Sequence, residues 1–190
     1  MKKALLLVSI LAISVITTAC INSFAVQELN SKAMTFMEQE NYPEAIERLK
    51  SSIDLDDSIF ESHYNLAVAY TKSEDYVNAL HSYQKAITLK PDFADSYYSL
   101  AVAEENIASD LTSGAIILDD NGNLQKVSPD EIERPEKLPE STTAYVDELL
   151  KDAIKNYNEY LAKAGQAPDS DDVQNHIKDI ELKLNTSLKE

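Results

Sequence analysis

Residues 26–93 repeat at an interval of 34, and this period constrains the fold more than any other feature of the chain. Leu66, Ala67, Tyr70, Tyr76, Ala79, Tyr83 and Ala86 follow Lys32, Ala33, Phe36, Tyr42, Ala45, Leu49 and Ser52 by one period. All but Lys32 and Ser52 keep the small or bulky apolar character of their counterparts. One period further on, Leu100 and Ala101 continue the pattern, Tyr97 follows His63, and Glu104 then stands where Tyr70 stood. Within a unit the spacing is helical. His63, Leu66, Ala67 and Tyr70 share one face, and Ala79, Tyr83, Ala86 and Ile87 share one face of a second helix. The break at Lys72–Asp75 separates the two helices, Pro91 ends the second, and Asp92 is placed to cap the next. Alanine lets helices approach closely and tyrosine fills the adjoining gap, so these residues read as packing rather than as a cofactor box.

Composition removes several classes of function. The chain has 33 Asp plus Glu against 17 Lys plus Arg, a formal net charge of -16. Nucleic-acid binding needs cations against phosphate, so no nucleic-acid partner is expected. Three glycines cannot build a phosphate-cradling loop, and one cysteine allows neither an intrachain disulfide nor a multi-thiolate zinc site. His63, His81 and His176 lie far apart, with no second ligand at metal spacing. Acid pairs such as Glu104–Glu105 read as solvated. The expectation is a non-enzymatic protein with no catalytic residues, no metal and no cofactor.

The repeated residues resemble the tetratricopeptide repeat family, whose marks in residues 60–93 are Leu66-Ala67, Tyr70, Ala79, Tyr83, Ala86 and Pro91. The resemblance implies an all-α solenoid of helical hairpins, with a first repeat at 26–59 and a second at 60–93. A third spans 94–163 and is split by an insertion at 107–146, because the second-helix pattern resumes only at Ala153, Ile154, Tyr157, Tyr160 and Leu161. Residues 169–188 read as a closing helix, with Asp169 or Ser170 as cap and a stripe of Val173, Ile177, Ile180 and Leu184. Such a terminal element gives a solenoid its polar outer face.

Inside the insertion, the runs 115–118 and 124–127 flank Asn121-Gly122, a strong hairpin signal because both residues tolerate positive φ. An EF-hand is excluded, since Ile117 and Ser128 would occupy its first and twelfth ligand positions. Pro129, Pro135 and Pro139 among charged residues read as an extended linker. The whole segment is either a passive decoration or a partner-binding arm.

Lys2 and Lys3 precede an apolar run that ends in Thr17-Thr18-Ala19-Cys20, the order of a secretory signal. As a helix the run Ala4–Ala19 would reach about 24 Å, short of a bilayer core of roughly 30 Å. The sequence around the lone cysteine resembles the bacterial lipobox, with Thr17 where an aliphatic residue is usual. The resemblance implies a signal peptide at 1–19, lipidated Cys20 with a tether at 20–25, and anchorage in a bacterial cell envelope. The site would be the outer membrane facing the periplasm or the outer face of the cytoplasmic membrane.

In the resembled family the first helix of each repeat lines a groove for a peptide or helix. Carried over, that groove would present Asn30, Met34 and Met37, then Tyr64, Asn65, Val68 and Lys72, then Tyr98, Ser99 and Val102. It lacks the clustered Lys and Arg with which chaperone-binding members hold a terminal carboxylate. The expected function is therefore a membrane-anchored scaffold that holds another envelope protein or peptide segment. The alternative is an accessory component of an envelope solute transport system.

Overall fold

The computed structural model describes residues 22–119, 121–132 and 137–187, so the expected signal peptide and Cys20 lie outside the described residues. The chain divides into two units, Met1–Glu74 and Asp75–Glu190.

In the first unit α1 spans 22–38, α2 spans Tyr42–Leu55 and α3 spans Phe60–Lys72. Residues 22–25, within the stretch 20–25 that the sequence suggested as a tether, are helical. The periodic residues are the core: Ala33, Ala45, Leu49 and Ala67 have no exposed surface, and Phe36 is half-buried. Burying a leucine such as Leu49 contributes roughly 1.5–3 kcal/mol, while the alanines beside it set how closely the backbones approach. His63 is buried at its packing position and donates from Nε2 to the Asp57 carbonyl at 2.9 Å.

The second unit opens with α4, Tyr76–Leu89, and α5, Ala94–Ser113. An antiparallel hairpin follows, β1 at Ile116–Leu118 and β2 at Leu124–Lys126, with Leu118 opposite Leu124. A short 3-10 turn at Pro129–Glu131 precedes α6, Glu140–Ala164, and α7, Ser170–Ser187. Asp119 organises the hairpin turn. Its carboxylate accepts from the backbone N–H of Asn121 and Asn123 at 2.9 and 2.8 Å, and from Gln125 Nε2 at 2.9 Å. The Asn123 backbone bond is the largest reason its pKa lies below the usual range.

Two expectations change. Asp92 does not cap α5; Phe93 holds that position, with no side-chain hydrogen bond. The insertion expected at 107–146 is also partly helical, because α5 runs on to Ser113 and α6 begins at Glu140, leaving only 114–139 outside the two long helices. The extensions are apolar on one face. Ile107, Ala108 and Leu111 from α5 pack with Val146 and Leu149 from α6, Tyr76 from α4 and Ile116 from β1. A second cluster joins Ala101, Ala153, Tyr157 and Tyr160 to Val173, Ile177, Ile180 and Leu184, which is the stripe expected for the closing helix.

The 34-residue period reappears in the backbone. Glu40 and Glu74 both adopt the left-handed conformation, with φ of 56° and 58°. The residues after them open helices with nearly equal angles: Asn41 at φ -88°, ψ 69° and Asp75 at φ -88°, ψ 71°. Ile59 and Phe93 repeat in the same way, at φ -82° with ψ 107° and 98°.

Candidate functional site

Packing fixes what each helix leaves outside. On α1, Met34 is 42% exposed and Met37 is half-buried. Asn30, expected in the groove, is instead a tie between helices. Its Nδ2 donates to Ser52 Oγ of α2 at 2.8 Å, to Ser62 Oγ of α3 at 2.9 Å and to the Val26 carbonyl at 3.0 Å. The two hydroxyls lie 2.9 Å apart. On α3, Tyr64, Asn65 and Val68 are half-buried and Lys72 is exposed, with Tyr64 stacked on Phe60 at 5.8 Å between ring centroids.

On α5 the expected residues join a larger site. Tyr98 is 38% exposed and packs against Tyr157 and Tyr160 at ring-centroid distances of 5.5 and 5.2 Å. Val102 is half-buried against the α5–α6–α7 cluster, and Ser99 is half-buried beside it. Tyr98 and Val102 open onto a cavity of about 500 Å³ whose other wall is Asp169, just before α7, and Asp172, Val173 and His176 of α7. Glu105 and Asn106 continue it into a second cavity of about 540 Å³ bounded by Ser109, Thr112, Val146, Leu150 and Lys183. Two adjoining clefts that share Glu105 and Asn106 thus form a channel beside α5 from Tyr98 to Ser113.

Hydrogen bonds hold the walls of that channel. Glu105 Oε1 accepts from Tyr157 Oη at 2.6 Å and from His176 Nε2 at 2.8 Å. Tyr160 Oη donates to both Asp169 oxygens, at 2.8 and 2.9 Å. Burial is the main reason the Tyr157 hydroxyl resists ionisation, with the Glu105 hydrogen bond second; for Tyr160 the Asp169 hydrogen bond leads and raises its pKa to about 12.

Beside the channel, Glu104 is 7% exposed, against the expectation of a solvated acid pair. Asn156 Nδ2 donates to its two oxygens at 3.0 and 2.9 Å. Burial raises its pKa to about 7, and the negative charge of Asp152 adds to the rise, while Asn156 and Lys155 oppose it. This is the position where the repeat pattern failed, a carboxylate in place of Tyr70. Among the described residues no group of three His, Cys, Asp or Glu is disposed to hold a metal.

Sequence reasoning missed the α7 side of the channel. Counting one more period beyond α5, past the forty residues by which the third hairpin is lengthened, carries the Tyr98 and Val102 positions onto Asp172 and His176. The same count carries Leu100 and Glu104 onto Gln174 and Lys178, which are exposed, as a closing helix with no following hairpin requires.

The family model described as Tetratricopeptide repeat matches residues 60–93, and one described as TPR repeat matches residues 34–73. No curated protein sequence gives a match. Among solved structures, the first TPR of Spaghetti (RPAP3) bound to the HSP90 peptide SRMEEVD is 16% identical, with a TM-score of 0.59 over 86% of this chain and 95% of that one. The Sgt2 TPR domain from Aspergillus fumigatus is 14% identical, with a TM-score of 0.58 over 87% and 82%. The TPR2B domain of yeast Sti1, in a complex with pHsp70, is 14% identical, with a TM-score of 0.54 over 84% and 98%. Residues 34–93 therefore match the tetratricopeptide repeat models, and the chain has the helix-hairpin fold of TPR domains.

Proposed function

We propose that this protein is a membrane-anchored scaffold of the bacterial cell envelope that recruits a partner protein by binding one of its segments. The observation that carries the binding role is the channel along α5, formed where helix packing leaves Tyr98 and Val102 facing α7. The partly exposed Met34, Tyr64 and Val68 of the first unit offer a second surface of mixed apolar and polar character. One structure of similar fold has been solved bound to an HSP90 peptide and another in a complex with pHsp70.

The anchor rests on the sequence around Cys20. No described helix is long and apolar enough to cross a membrane, so membrane attachment in this proposal comes from acyl chains. With the described part of α1 helical from residue 22, the first unit would stand close to the bilayer. Mass spectrometry of protein extracted from membranes tests the anchor. An N-terminal peptide beginning at an acylated Cys20 supports it, and a chain that retains residues 1–19 contradicts it.

A further inference from the structure

We propose that the channel between α5 and α7 takes a cationic partner segment, one that presents Lys or Arg side chains; this deepens the scaffold reading and rests on it. Three carboxylates, Glu105, Asp169 and Asp172, face the first half of the channel. Among the described residues that line this half, the basic group is His176, which already donates to Glu105. Lys183 bounds the far cavity and leaves the first half acidic.

The carboxylates differ in how they are held. Glu105 is fixed by Tyr157 and His176, and Asp169 by Tyr160, so their charges are positioned before any partner arrives. Asp172 lies exposed in the first turn of α7. The Tyr98 ring, packed against Tyr157 and Tyr160, lines the same cleft as these charges. A guanidinium or ammonium entering the cavity can pair with Asp172 while resting against the Tyr98 ring, so ion pairing and cation–π attraction act on the same group. The charge of the whole chain, -16, adds a long-range pull of the same sign. An acidic peptide would meet repulsion at each of these points, so the channel has the opposite preference from a carboxylate-binding groove.

The test uses the full chain in detergent and two fluorescently labelled peptides of equal length and apolar content, one carrying lysines at alternate positions and the other glutamates. Anisotropy should show the lysine peptide binding at least about tenfold more tightly. Asp172→Lys should weaken it by about tenfold, while Glu181→Lys, an equal charge change at an exposed position of α7 outside the channel, should change it less than about twofold. Asp172→Asn, checked by thermal melting, repeats the comparison without a reversed charge. Equal weakening by Asp172→Lys and Glu181→Lys would overturn the proposal, because attraction would then be set by net charge alone. Tighter binding of the glutamate peptide, or self-association in sedimentation with both peptides left free, would also overturn it. Partner capture through Tyr98 with no lysine preference would leave the scaffold reading standing and remove only this inference.

Discussion

Ser62 and Ser96 stand one 34-residue period apart, each with no exposed surface, and only Ser62 has hydrogen-bond partners. Ser62 Oγ meets Asn30 and Ser52, whereas one period later those positions are Tyr64 and Ala86, which do not reproduce the triad. Ser96 Oγ is left buried and unpaired. A buried hydroxyl without a partner costs about 1–3 kcal/mol, and a made hydrogen bond contributes about 1 kcal/mol. Ser96→Ala should therefore raise stability by about 1 kcal/mol and Ser62→Ala should lower it by about 1–2 kcal/mol. Urea denaturation of the two variants checks this, and equal signs would refute the assignment.

Glu104 makes stability fall as pH rises. Its folded pKa, about 7, lies above its ordinary value of 4.5. The folded state therefore holds a proton that the unfolded state releases between these values. The contribution is complete below pH 4.5 and is lost as pH rises through 7. The slope reaches at most about 1.4 kcal/mol per pH unit, for a total of no more than about 3 kcal/mol. Glu104→Gln keeps the neutral shape and should flatten melting temperature against pH between 5 and 7.5. An unchanged slope in that variant would assign the pH dependence to other groups.

Two left-handed glutamates are available for stabilisation. Glu40 and Glu74 occupy the conformation that glycine adopts without a steric penalty, and each stands in a turn between successive helices. Each costs roughly 1–2 kcal/mol in strain, partly offset by the greater entropy glycine loses on folding. Glu40→Gly and Glu74→Gly should each raise stability by about 0.5–1 kcal/mol, measured by thermal melting, and should add when combined.

The long helices make deletions around the insertion unequal. Removing 107–146 takes Ile107, Leu111 and Val146 out of a shared core and should unfold the second unit. Replacing 115–138 by a short Gly-Ser loop removes mainly the burial of Ile116, a loss of about 2–3 kcal/mol, and should leave α5 and α6 folded. Circular dichroism of the two deletions distinguishes them.

The repeats were legible because each residue contributes to one local period: Ala45 and Ala79, or Tyr42 and Tyr76, recur at one spacing with one packing role. The hairpin was legible for the same reason, since Asn121-Gly122 states its turn locally. The ends of α5 and α6 were not. Ile107, Leu111 and Val146 carry helical spacing, but with the repeat pattern lost at Glu104 only tertiary packing shows that these faces meet. The acidic wall of the channel was hidden because Asp172 and His176 reach α5 through the arrival of α7, a long-range event with no local signature. Asn30 was assigned to a partner surface because its bonds to Ser52 and Ser62 cross three helices.

Site-specific crosslinking tests the scaffold account most directly. A photo-reactive residue placed at Tyr98, in the membrane-bound full-length protein, should form an adduct with one partner protein, and the adduct should map to a single segment of that partner. The same group at His81, exposed on α4 and away from the channel, should give none. Adducts of equal yield from both positions, or an adduct from His81 alone, would contradict the account.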